Sequence, residues 1–238
     1  MKIKEPIIAL DFPNQATALA FLDRFPKDMP LYVKVGMELY YAAGTAILRE
    51  LKAHGYKIFL DLKLHDIPHT VQASARVLGA LGVDMITVHA AGGSQMIAAA
   101  RQGLAEGAGH QRPLLLAVTE LTSTSPEQLR NELMIDRTMP AAVLHLAQLA
   151  KANGADGVVC STLEAGDIQH HLGDAFMRVT PGIRPVGSPQ ADQKRVATPG
   201  TAAELGSSAL VVGRPVTRAT DPVAAYQRIQ KAWEENHD

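Results

Sequence analysis

Short apolar runs recur along the chain, separated by longer segments whose apolar positions return every three or four residues. The runs fall near 6–12 (PIIALDF), 31–36 (LYVKVG), 57–62 (KIFLDL), 84–89 (DMITVH), 114–119 (LLLAVT), 156–160 (DGVVC), 176–180 (FMRVT) and 209–213 (ALVVG). Several are apolar at consecutive positions and rich in Val and Ile, which predicts strands covered on both faces. The intervening Ala- and Leu-rich segments predict helices over 15–25, 38–54, 70–81, 94–107, 140–153 and 222–235, with shorter ones around 163–171 and 199–205. Gly55, Gly82 and Gly154 follow three of these segments, where a helix C-terminus is expected.

Strand-like and helical segments that alternate eight times predict an α/β fold, a (β/α)₈ TIM barrel running through residues 1–238 as one domain. An open doubly wound sheet would carry a glycine-rich loop after its first strand. Here that strand ends Asp11-Phe12-Pro13-Asn14, without glycine. The stretches 120–137 and 182–198 lack periodicity. Both follow strands, which puts them on the C-terminal face, where barrel enzymes build their sites.

Composition narrows the function. Lys and Arg number 23 against 24 Asp and Glu, so no general basic surface exists for nucleic acid or an anionic membrane. An anionic ligand must therefore meet a local cluster of cations. The single cysteine, Cys160, excludes an internal disulfide. The N-terminal segment has no long apolar core with a cleavage site, and no apolar stretch approaches the roughly 20 residues of a membrane span. A cytoplasmic protein is the expectation.

Charge on a strand packed from both sides is costly unless it is paired. Asp11, Lys34, Asp61, Lys63 and Asp66 all lie on or just after predicted strands. Residues two apart on a strand share a face. Asp61 and Lys63 are thus expected to point together into the barrel, with Asp66 next in the loop. Carboxylates on both sides of Lys63 favour its ammonium form, although desolvation opposes it. The alternative, an internal salt-bridge network, would stabilise little, because desolvation offsets the attraction. As a group these charges point to function; for Asp11 or Lys34 alone either reading stands.

A second constellation lies near the C-terminus. Pro181-Gly182-Ile183-Arg184 follows the seventh strand and Gly213-Arg214-Pro215 the eighth. Barrels often bind phosphate in these two loops, where glycine lets the backbone approach and arginine offers a forked donor. Ordinary turns with surface arginines are the competing explanation.

At this point the residues resemble a known family. Asp61-Leu62-Lys63-Leu64-His65-Asp66-Ile67-Pro68-His69-Thr70 matches the D-x-K-x-x-D-I-P-x-T signature of the orotidine 5′-phosphate decarboxylases. Flanking matches include Ala9-Leu10-Asp11, Val33-Lys34-Val35-Gly36, Val88-His89-Ala90, Thr119-Glu120-Leu121-Thr122, Thr180-Pro181-Gly182-Ile183-Arg184, Asp192-Gln193 and Val212-Gly213-Arg214. The shorter D-x-K-x-x-D core is shared with metal-dependent sugar-phosphate relatives.

The resemblance implies decarboxylation of orotidine 5′-phosphate to UMP without a cofactor, the last step of de novo UMP synthesis. Lys63 would protonate C6 and Asp61 would sit beside the substrate carboxylate. Asp66 and Thr70 would come from the partner in a homodimer. Asp11 and Lys34 would bind the ribose hydroxyls, with Lys34 also part of the catalytic array. Thr122 would touch the pyrimidine, and Ile67 and Pro181 would line the substrate. Arg184, Gln193, Gly213 and Arg214 would hold the 5′-phosphate, with the 182–198 loop closing over it.

Other reactive side chains carry less. His65 and His69 occupy variable positions of the signature, and His89 reads as a core or supporting group. Cys160 reads as a small buried hydrophobe, and His170-His171 as an exposed helix end. No His/Cys/Asp/Glu spacing makes a metal site. Two other functions stay open: a metal-dependent hexulose-phosphate decarboxylase or synthase using the same aspartates, and a catalytically silent barrel that binds a phosphate ligand.

Overall fold

Eight parallel strands hydrogen-bond in sequence order and close on themselves. The structure is a computed structural model, which describes residues 2–185 and 196–235. From the N-terminus, β1 (Ile7–Ala9) leads to α1 (Gln15–Leu22), and β2 (Tyr32–Gly36) to α2 (Met37–Ala43) and α3 (Thr45–Ala53). Strand β3 (Lys57–Leu64) precedes α4 (Pro68–Gly79), and β4 (Met85–His89) precedes α5 (Gly93–Gly107). Strand β5 (Leu114–Val118) is followed by α6 (Pro126–Asn131) and α7 (Met139–Ala152), and β6 (Gly157–Val159) by α8 (Thr162–Leu172). The last repeats are β7 (Met177–Thr180) with α9 (Pro199–Glu204), and β8 (Ala209–Val212) with α10 (Arg214–Thr217) and α11 (Pro222–Glu234). Closure is made by β1 on β8, with Ile7 opposite Val211 and Ile8 opposite Val212.

Strand parity sorts the side chains into two cores. Ile7, Ala9, Tyr32, Phe59, Met85 and Leu116 are among those filling the barrel interior. Ile8, Val33, Val35, Ile58, Leu60 and Ile86 face outward against the helices. Both sets are apolar, which is why the strands read as continuous hydrophobic runs. The N-terminal ends of the strands are held by polar clamps. Asp84 accepts from the Ile58 N–H at 2.7 Å, and Asp156 accepts from the Leu115 N–H at 2.7 Å. Arg112 grips Asp156 through two 2.6 Å bonds. That leaves the opposite rim for chemistry.

Two helical expectations are revised. The segment 38–54 forms two helices because Gly44, at φ +61°, ends α2 and begins α3. A helix cannot continue through a left-handed residue. The non-periodic stretch 120–137 contains α6, whose start is a capping box between Ser125 and Gln128. Helices α4 and α5 pack very closely: a Cβ on Gly103 or Gly107 would collide with the carbonyl oxygen of Gln72 or Arg76. The pair that follows the charged segment is therefore fixed backbone against backbone. Among the described residues, no helix is long and apolar enough to cross a membrane.

Candidate active site

The rim at the C-terminal ends of the strands encloses a cavity of about 570 Å³. Strand parity brings two of the expected charges into it. On β2, Tyr32, Lys34 and Gly36 share the inward face; on β3, Phe59 and Asp61 do. Lys34 pairs with Phe59 and Gly36 with Asp61 in the ladder. Lys34 reaches forward to place its Nζ 3.5 Å from Asp61 Oδ2 and 3.4 Å from Asp11 Oδ1. Lys63 Nζ lies 2.8 Å from the same Asp61 Oδ2. Asp11, Lys34, Asp61 and Lys63 thus form a row of alternating charge.

The row corrects one expectation. Lys63 does not lie between two carboxylates within its own chain; Asp61 lies between two ammonium groups. Asp66 is exposed, and its Oδ1 accepts from the Ile67 N–H at 2.6 Å. Ile67 and Thr70 are exposed as well. None of the three borders the cavity of their own chain.

Simple alternation is not what places Lys63. Its φ is +52°, one of two positive values at non-glycine positions among the described residues. The ladder between β3 and β4 shifts register there, running from Leu60 opposite Ile86 to Leu64 opposite Val88. Thr87 sits at this irregularity, almost wholly buried. Its Oγ1 accepts from the Lys63 N–H at 2.8 Å and donates to Asp61 Oδ1 at 2.9 Å. Nothing in the sequence reading singled out Thr87. The usable signal was its parity, because it shares the inward side of β4 with Met85.

Asp61 is 7% exposed. Burial alone would raise its pKa, but the charges of Lys34 and Lys63, with hydrogen bonds from Lys63 and Thr87, hold it below the ordinary carboxylate value. His89, at the end of β4, stacks at a tilt on His65 with ring centres 5.4 Å apart. Burial, then His65 and Lys63, push its imidazole pKa down, with Asp61 opposing. His89 does not border the cavity.

The loops after β7 and β8 supply the cationic end. Pro181, Gly182, Arg184, Gly213 and Arg214 all border the cavity, joined by Arg218. Arg184 is buried and donates through Nη1 to the Ile183 carbonyl at 2.8 Å. Thr122, after β5, also borders the cavity. Cys160 is buried, as expected, but it also contributes to the cavity wall. His170 and His171 end α8, exposed. Gln193 and Asp192, with most of the 182–198 loop, lie outside the described residues. Among the described residues, no three His, Cys, Asp or Glu side chains are grouped to hold a metal ion.

A closed (β/α)₈ barrel with a charged, arginine-bordered cavity at the C-terminal ends of its strands has the design of a barrel enzyme for a small anionic substrate. The family model of the Orotidine 5′-phosphate decarboxylase / HUMPS family matches residues 4–229, and the chain belongs to that family. Orotidine 5′-phosphate decarboxylase of Streptococcus thermophilus is 54% identical over 233 residues, spanning 98% of this chain and 99% of that protein. The enzyme of the same name from Cutibacterium acnes is also 54% identical, over 98% of each chain. The crystal structure of Orotidine 5′-phosphate decarboxylase from Lactobacillus acidophilus superposes with a TM-score of 0.87 at 50% identity. It covers 96% of this chain and 98% of its own.

Proposed function

We propose that the chain, acting as one barrel domain in a homodimer, decarboxylates orotidine 5′-phosphate to UMP and CO₂ in pyrimidine synthesis, with Lys63 as proton donor and no cofactor. The observation that carries the mechanism is the row Asp11–Lys34–Asp61–Lys63, with Lys63 Nζ 2.8 Å from Asp61. Family membership supports the reaction.

The chemistry needs such a row. Breaking the bond between C6 and the carboxylate leaves an electron pair on C6 in the plane of the pyrimidine, where the π system cannot spread it. Fixed charges are the remaining means of stabilising that pair. The Lys63 ammonium would face C6, stabilise the developing charge, and transfer its proton there; the amine is reprotonated by solvent. Asp61 would lie beside the departing carboxylate, and their repulsion ends when neutral CO₂ forms. An ion pair near 4 Å is worth about 1 kcal/mol in water but about 4 kcal/mol at an effective dielectric near 20, so a water-poor cavity favours this mechanism.

Asp11 and Lys34 would bind the ribose hydroxyls, Thr122 the pyrimidine, and Pro181 the ring face. Arg184, Gln193, Gly213 and Arg214 would hold the phosphate, whose binding energy acts far from the reacting carbon. Asp66, Ile67 and Thr70 would enter the partner's cavity. Their exposure here supports that reading, and Asp66 would extend the alternation beyond Lys63.

The test is absorbance-monitored turnover of orotidine 5′-phosphate in excess EDTA by wild type and Lys63→Ala. Chelator-resistant turnover is expected, with a loss of about a thousandfold or more in kcat for the variant. Loss of wild-type activity on chelation favours the metal-dependent reading. UMP binding without turnover favours a silent binding protein.

A further inference from the structure

We propose that Thr87 is a positioning residue: its single hydroxyl sets both the backbone of Lys63 and the rotation of the Asp61 carboxylate. The proposal rests on the reading of Lys63 as proton donor, and its geometry stands apart from it.

Between Leu60–Ile86 and Leu64–Val88 in the ladder, β3 carries Asp61, Leu62 and Lys63 while β4 carries only Thr87. Three residues facing one cannot keep regular backbone pairing, so a strand amide is left without its ladder partner. That amide is the Lys63 N–H, and the Thr87 hydroxyl takes it at 2.8 Å. A backbone N–H can only donate, so the hydroxyl must accept there. Its one proton is then committed elsewhere. It goes to Asp61 Oδ1 at 2.9 Å.

Asp61 consequently uses one oxygen for Thr87 and the other for the two lysines. The carboxylate cannot rotate without losing one set. The same hydroxyl holds Lys63 at φ +52°, a conformation that an unsupported lysine rarely adopts. Thr87 is 1% exposed, and its neighbour in the β4–β5 ladder, Leu116, belongs to the apolar barrel interior. A hydroxyl in that setting needs both of its bonds.

Valine has nearly the same shape as threonine and no hydroxyl, whereas serine keeps the hydroxyl and loses the methyl. Thr87→Val and Thr87→Ser are compared with wild type in two measurements. The first is ¹³C NMR titration of the Asp61 carboxyl, which does not depend on turnover. Thr87→Val raises its midpoint toward the ordinary carboxylate value, and Thr87→Ser leaves it near wild type. The second is steady-state turnover of orotidine 5′-phosphate at a temperature where all three proteins are folded. Thr87→Val loses about ten- to a hundredfold in kcat with a small change in KM, and Thr87→Ser restores most of it.

If Thr87→Val leaves the Asp61 midpoint in place, or if serine behaves like valine in the titration, the positioning role is wrong. Lower thermal stability with unchanged titration and kcat would make Thr87 a packing residue only. If Thr87→Val and Thr87→Ser titrate as expected but the wild type fails to turn over the substrate, the proposed reaction is overturned while Thr87 stays supported.

Discussion

Lys34 and Asp61 meet at 3.5 Å across adjacent strands, although they are not partners in the ladder. The lysine extends one step toward the C-terminal rim, into the space inside Gly36. A Cβ on that glycine would lie 3.3 Å from the ammonium. Lys34 and Asp61 side chains are 13% and 10% exposed, so this is a buried pair, and removing one member leaves charge behind. Lys34→Met is expected to lower stability by about 2 kcal/mol, less than the usual loss for a buried pair because Lys63 still contacts Asp61. Denaturant midpoints should show the deficit shrinking in acid, where Asp61 takes up a proton. A deficit that does not change with pH would mean the pair is not what Lys34 contributes.

Two groups make the fold acid-sensitive in separate windows. Asp61 titrates below the ordinary value of 3.8, so its contribution is complete above that pH and is lost as pH falls through the folded value. His89 titrates below 6.5, so its neutral form favours the fold above that pH, and stability declines as pH drops below it. Urea midpoints followed from pH 8 down through the Asp61 transition below pH 3.8 should therefore fall in two stages. His89→Gln is expected to flatten the first and Asp61→Asn the second. An unaltered first stage in the His89 variant would remove that residue from the account.

If Asp66 completes the partner's site, two inactive variants should repair each other. A hybrid dimer of Lys63→Ala with Asp66→Asn contains one site with both changes and one with neither. Random pairing makes half the dimers hybrids, so an equal mixture should recover about a quarter of wild-type activity after subunit exchange. Activity no higher than the average of the two pure variants would place Asp66 outside a shared site.

Arg214 is expected to act through the phosphate alone. Arg214→Ala should reduce kcat/KM for orotidine 5′-phosphate by about ten- to a hundredfold, the worth of one charged hydrogen bond. It should leave the slow reaction of orotidine, which lacks the phosphate, unchanged. Equal losses on both substrates would mean that the substitution disturbs the reacting end.

The barrel was legible because burial on both faces writes itself into continuous apolar runs, and every predicted strand has its counterpart. Parity also placed Asp61, and the same rule puts Lys34 on the inward face of β2 once the strand is regular, although the sequence alone left Lys34 open. Lys63 was different. Its side chain reaches Asp61 as expected, but its backbone depends on the register with β4, which no local pattern in 57–66 contains. Thr87 escaped notice because threonine is an ordinary strand residue, and only its neighbour across the sheet gives its hydroxyl a task. Gly44 lies in an Ala-rich run where a glycine can pass as helical, and its left-handed φ emerges only with the packing of α2 and α3. The capping box of α6 was present in Ser125-Pro126-Glu127-Gln128 but lacked an apolar repeat to draw attention to it.

The left-handed backbone at Lys63 sets durability against activity at a single position. A left-handed side-chain-bearing residue costs about 1–2 kcal/mol, and glycine avoids that cost. The conformation thus favours glycine, which has no side chain and so no ammonium to offer. Lys63→Gly should yield an inert protein more heat-resistant than Lys63→Ala, which gives up the charge and keeps the strain. Selection for a sturdier fold alone would erode the proposed catalyst at this site.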